Sequence, residues 1–120
     1  MDTALVLQKL PVYTAGGKPS PDTIRAYRRT GTFFVNWLIQ HGKDPDTATD
    51  SDAHEYVAEL YATGLQRDSV NQRIAGARAF FATAGAIGEF CGSNPFANIH
   101  GRLSNPDDAT TNYFNNEEIK

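Results

Sequence analysis

Residues 67–84, RDSVNQRIAGARAFFATA, constrain the fold more than any other stretch of the chain. Val70, Ile74, Ala77, Phe81 and Ala84 recur at steps of four, three, four and three, which lines up one apolar face on an α-helix. Asp68 and Ser69 open the stretch with polar groups of the kind that cap helix N-termini. Ser69, Gln72, Arg73 and Gly76 share one flank, and Asn71, Ala75 and Arg78 lie on the other side. A helix with a core-facing stripe and a polar flank rich in Arg, Asn and Gln is suited to reading nucleic acid. An ordinary amphipathic helix with a solvated side carries the same pattern, so the choice rests on the rest of the chain.

Charge enters next. The net charge of −3 argues against a nucleic-acid partner if taken whole, but its distribution is uneven. Residues 18–43 carry net +4, residues 44–63 carry net −6 and residues 64–84 carry net +2. Two basic helices can therefore form one positive face while an acidic segment points elsewhere. With 120 residues there is enough chain for one domain with a single core.

In order along the chain, Ala4 to Leu10 predict a short helix ending before Pro11, and Gly16, Gly17 and Pro19 mark a loop. Residues 20–41 predict a long helix, with Ser20 as N-cap, Pro21 at the first helical position and Asp22 at the positive end of the dipole. Ile24, Tyr27, Gly31, Phe34 and Leu38 form its inner stripe, and Phe33 and Trp37 imply a second neighbour. Gly31 is explained either by a close helix crossing or by simple tolerance. Thr49 and Asp52 have capping-box spacing ahead of a helix over 50–63, with Ala53, Tyr56, Val57 and Leu60 inward and Gly64 as its stop. The next helix is expected over 68–84, after which Gly85, Gly88 and Gly92 punctuate a short apolar piece, Ala86, Ile87 and Phe90, read as a broken or short helix. Asn94, Pro95 and Phe96 predict a turn with an aromatic anchor. Residues 100–112 read as a linker, and Tyr113 to Lys120 as the first turn of a second domain that the chain does not finish, or as a frayed tail.

No strand pattern of convincing length occurs, so the fold class is all-α. No phosphate-cradling Gly-rich loop, Cys-x-x-Cys or His-Glu-x-x-His is present, and the sequence places no partner acid or nucleophile beside His41, His54 or His100. The reading is therefore of no catalytic residues, no metal site, no cofactor and no enzyme activity within this chain. His54, between acids on a helix surface, is read as solvated. Cys91 is the single cysteine, which excludes an internal disulfide and fits a reducing cytoplasm. The apolar runs are too short to span a membrane, and the N-terminal residues lack a secretory pattern.

The pieces SPDTIRAYRRTGTFFVNWLIQHG, TDSDAHEYVAELYATG, DSVNQRIAGARAFFATAG, SNPF and YFNNEEI, in that order, resemble the N-terminal core-binding domain of phage-integrase-type tyrosine recombinases. Ser20, Thr23, Tyr27, Phe34, Trp37, Leu38, Thr49, Asp52, Leu60, Asn71, Arg73, Arg78, Phe80, Phe81, Asn94 and Pro95 fall at that family's motif positions. Ser69 stands where Thr is usual, Gly31 and Ala77 where Leu is usual, and Ile74 for Leu; the acidic total is also unusual.

The resemblance implies a SAM-like four-helix bundle, with residues 1–19 as an N-terminal arm, 20–99 as the DNA-binding domain and 100–120 as linker and start of a truncated catalytic domain. It implies that the domain clamps one face of double-stranded DNA at a recombination site. A missing catalytic domain would hold the other face, within a higher-order assembly on DNA. Charge, face and resemblance together nominate Thr23, Arg25, Arg28 and Arg29, and Ser69, Asn71, Gln72 and Arg73, as DNA contacts. Thr23 and Ser69 are expected to bring a hydroxyl and helix-start amides to phosphate. Arg78 ranks last as a DNA contact, since it could instead pair with an acid of helix 50–63. The competing class is a free-standing SAM-like protein–protein module, since the scaffold does not fix the partner.

Overall fold

The computed structural model describes residues 1–14 and 20–99, which form four α-helices and two short 3-10 turns. The helices are α1 (Thr3–Lys9), α2 (Pro21–Gln40), α3 (Asp50–Ala62) and α4 (Arg67–Ala86). The described residues contain no strand, so the all-α class holds. The Gly16–Gly17 loop, the linker over 100–112 and the start of a second domain lie outside the described residues.

Most helix ends follow the sequence. Ser20 Oγ accepts the Thr23 amide at 3.1 Å, and Pro21 takes the first position of α2. Thr49 and Asp52 form the reciprocal capping box of α3: the Thr49 amide donates to Asp52 Oδ2 at 3.0 Å and the Asp52 amide to Thr49 Oγ1 at 3.3 Å. The first helix ends as expected, although a 3-10 turn then runs through Pro11 to Val12.

α4 is longer at both ends than its periodicity suggested. Its N-cap is Gln66, so Asp68 and Ser69 sit inside the first turn instead of capping it. At the other end Gly85 continues the helix, and the stop is Gly88, at φ 80°. A glycine is needed where the chain turns left-handed, and Gly85 is not that residue. The piece Ala86, Ile87 and Phe90 is accordingly no separate helix: α4 takes Ala86, and Phe90 folds back onto Phe81, ring centroids 4.9 Å apart. All three long helices close in the same way. The amide after each positive-φ glycine reaches back to a carbonyl inside the helix: Lys43 to Leu38 at 2.8 Å, Leu65 to Leu60 at 3.3 Å and Glu89 to Ala84 at 2.8 Å.

The core is aromatic and centres on Phe34, which is fully buried. Its ring lies 4.8 Å from Phe96, 4.9 Å from Tyr56, 5.7 Å from Phe81 and 5.9 Å from Trp37, centroid to centroid. These rings come from α2, α3, α4 and the Asn94–Phe96 turn, so the turn does anchor through its aromatic residue. Val6 and Leu10 close the core from the N-terminal side. Trp37 bridges α2 and α3: its indole N–H donates to Glu59 at 3.1 Å, and its ring lies 4.3 Å from that of His41.

α2 and α4 make the closest contact in the molecule. A Cβ on Gly31 would lie 3.1 Å from Phe80 Cβ and 3.2 Å from the Gly76 carbonyl oxygen. One on Gly76 would lie 1.7 Å from Thr30 Oγ1 and 2.8 Å from Thr30 Cβ. A close crossing, not tolerance, is thus the reason for Gly31. Gly76 belongs to that crossing too, which removes it from the polar flank on which the sequence placed it.

The acidic segment is partly neutralised within the fold. Lys43 Nζ lies 2.9 Å from Asp52 Oδ1. Burial pushes the Asp52 carboxyl up, but Lys43 and the Thr49 amide outweigh it and hold the carboxyl below its usual value. A carboxyl depressed on folding contributes stability above its unfolded pKa of about 3.9, and that contribution is lost as pH falls through the folded value. Asp52→Asn is therefore expected to remove part of the acid-side loss of stability. Urea unfolding at pH values from 2.5 to 6 measures it, and an acid limb identical to wild type would refute the assignment.

Candidate nucleic-acid interface

The two helices nominated for DNA contact lie side by side and run antiparallel. Thr23 and Tyr27 line one groove with Ala75, Ala79 and Ala82. Gly31 meets Gly76, and Phe33 meets Arg73. Position numbers rise along α2 as they fall along α4. The residues Thr23 to Arg29 and Ser69 to Arg73 therefore lie toward opposite ends of the pair, with centres offset by roughly 14 Å at 1.5 Å per residue. Both groups belong to one layer of the bundle, yet they form two clusters within it.

On α2, Arg25 and Arg29 are exposed. Arg25 Nη1 pairs with Asp22 Oδ1 at 2.7 Å, a contact at the surface that contributes little. Arg29 makes no ion pair or hydrogen bond among the described residues. Arg28 is exposed but tethered: its Nε donates to the Leu7 carbonyl at 3.1 Å, tying α2 to α1. The hydroxyl of Thr23 accepts from Ser20 Oγ at 2.8 Å and its amide is bound to the same oxygen. Thr23 thus does not offer the free helix-start amide that the sequence reading gave it.

On α4, Ser69, Asn71 and Gln72 are exposed, and their side chains have no partner among the described residues. Gln66 makes no capping hydrogen bond, so the first-turn amides of α4 are uncapped by any side chain. Arg73 differs from them. Its guanidinium carbon lies 4.5 Å from the centroid of the Phe33 ring, and the residue is half-buried. The buried Tyr56 hydroxyl has no partner in good hydrogen-bond geometry, but Arg73 is close enough to act on it. Burial pushes the Tyr56 phenol up, and Arg73 pulls against that shift. Arg73 is thus a tie between α2, α3 and α4 as well as a surface charge.

Two further arginines of α4 take places that local sequence does not indicate. Arg78 pairs with no acid of α3; it binds the carbonyls of Phe96 and Ile99. The turn residues Asn94–Pro95 were the available signal, but nothing local shows that they return to the middle of α4. Arg67 is exposed in the first turn of α4 and extends its positive end. Starting that helix at residue 68 left Arg67 off the face. Among the described residues no three His, Cys, Asp or Glu side chains gather to hold a metal ion. No helix among them is long and apolar enough to cross a membrane.

An aromatic-cored bundle of this kind, built on one tight antiparallel helix pair, defines a small helical module. The family described as phage integrase, N-terminal SAM-like domain, matches residues 15–86, which include the whole of α2, α3 and α4. That match spans more than half of the chain, and the chain belongs to this family. No curated protein and no solved structure gives a significant match.

Proposed function

We propose that this chain is the DNA-binding half of a site-specific tyrosine recombinase, clamping one face of duplex DNA while a catalytic domain holds the other. The observation that carries the reading is that the family match over residues 15–86 takes in both helices bearing all eight nominated contacts. Thr23, Arg25, Arg28 and Arg29 form one contact cluster, and Ser69, Asn71, Gln72 and Arg73 the other. Their axial offset of roughly 14 Å lets the two clusters meet phosphates at separate points along the duplex. Arg29 and the uncapped start of α4 are the groups best placed for phosphate, and Asn71 and Gln72 are the candidates for base edges. Cutting and rejoining of strands belongs, in this reading, to the parent protein and not to these residues.

Retention on heparin or duplex DNA at low salt, with elution by salt, is the first test. Arg29→Ala is expected to lower the slope of log affinity against log salt by about 0.9, one phosphate equivalent, without changing stability. An unchanged slope would remove Arg29 from the interface, and absence of any retention would remove the DNA reading. A second reading, a protein–protein module, is favoured by one observation: Ile39, 58% exposed, edges a groove of about 360 Å³ lined by Leu7, Val35 and Phe80. Failure to retain DNA would move that surface to first place.

A further inference from the structure

Arg78 is anchored on α4, but its side chain serves the segment that follows. Nε donates to the Phe96 carbonyl at 3.1 Å, and Nη2 donates to the Ile99 carbonyl. In return Asn94 Nδ2 donates to the Arg78 carbonyl at 2.9 Å, and Asn94 Oδ1 accepts the Phe96 amide at 2.9 Å. Residues 94–99 have only turn structure of their own. Phe96 and Ile99 are buried, at 0% and 4% exposure, which holds the segment against the bundle but does not fix its direction. A ring seated among other rings can pivot. A planar guanidinium that takes two carbonyls at once cannot accommodate that pivot, because its donors have a fixed fork geometry.

We propose that Arg78 and Asn94 are positioning residues that fix the path by which the chain leaves the bundle. Through them the direction of the backbone at Ile99 is tied to α4. The guanidinium is partly buried and turned to main-chain oxygens, so Arg78 is committed to this role and not to a phosphate. The helix is a suitable base for such a tie, since its C-terminal end is closed by the Glu89 amide on the Ala84 carbonyl and its centre is locked to α2 at Gly76. The inference does not rest on DNA binding, and it is tested on the free protein.

The test is spin-label mobility at position 98. Asn98 and Cys91 are both exposed, so the full chain carrying Cys91→Ser and Asn98→Cys can be labelled at one site. With Arg78 and Asn94 present, the label is expected to show a slow-motion spectrum. Arg78→Ala and Asn94→Ala are each expected to add a fast component, and Arg78→Lys, which can hold only one carbonyl well, is expected to add it too. Ala84→Gly, a core change away from these bonds, is expected to lower stability and leave the spectrum slow. If Arg78→Ala does not fold, Asn94→Ala decides alone. A slow spectrum in the folded clasp variants overturns the proposal, as does an equal fast component in Ala84→Gly, which would make the effect one of general stability.

Discussion

Phe34→Ala is expected to lower unfolding stability by about 4 kcal/mol, within the range of roughly 3–5 seen when a buried Phe is truncated. The reason is its position: Phe34 is fully buried and its ring meets rings from every part of the core except α1. Truncation leaves a cavity walled by Tyr56, Phe81 and Phe96, and the close α2–α4 crossing at Gly31 and Gly76 limits how far the helices can collapse into it. Domains of this size have total stabilities of about 5–15 kcal/mol, so the variant should sit near its folding threshold at 25 °C. Urea unfolding followed by far-ultraviolet circular dichroism measures the loss. A cost below about 1.5 kcal/mol would mean that the core closes over the gap and that Phe34 is not its hub.

Gly76→Ala should also destabilise, by about 1 kcal/mol net and at most about 2, although it adds a good helix former to a helix interior. Propensity alone favours Ala by roughly 1 kcal/mol. Against that, the new methyl would stand 1.7 Å from Thr30 Oγ1 and 2.8 Å from Thr30 Cβ. Thr30 is buried and its hydroxyl donates to the Ala26 carbonyl at 2.9 Å, so it has little freedom to turn away. Overpacking of this kind costs about 1–3 kcal/mol, and here the clash with Cβ forces the helices apart. Thr30→Ala should relieve part of the loss, which a double-mutant cycle would read as a favourable coupling between the two sites. A single Gly76→Ala variant as stable as wild type would show that α2 and α4 do not approach this closely.

The parts of this fold that were legible in the sequence are those set by local chemistry. Ser20, Pro21, the Thr49–Asp52 box and Gly64 each act within a few residues of themselves, and each does what its position implies. The start of α4 was misplaced because Gln66 caps through backbone conformation alone and leaves no side-chain signal. The end was misplaced because Gly85 and Gly88 look alike in a sequence, and only the second adopts positive φ. The candidate interface was less legible than the core. Arg25, Arg28, Arg29, Arg73 and Arg78 are equivalent as charges, but tertiary contacts divide them. Leu7 holds Arg28, Phe33 and Tyr56 engage Arg73, and the carbonyls beyond Asn94 take Arg78. The helical period could indicate which side of α4 each residue occupied. It could not indicate that Gly76, nominally on the polar flank, is the point at which a second backbone crosses.

Trp37 is the single tryptophan of the chain, and it is buried in the seam between α2 and α3 with its indole N–H on Glu59. Excited selectively, it gives the unlabelled protein an optical gauge of that seam. Phe96 packs on Phe34 and Tyr56, the two rings that flank Trp37, so loosening of the Asn94–Ile99 turn should alter the indole lifetime while its emission stays blue. Separation of α3 from α2 should shift the emission to the red, even where the helices themselves persist. Opening of the seam and loosening of the turn can thus be told apart, by the colour of the indole in the unlabelled protein for the first and by spin-label mobility at position 98 for the second.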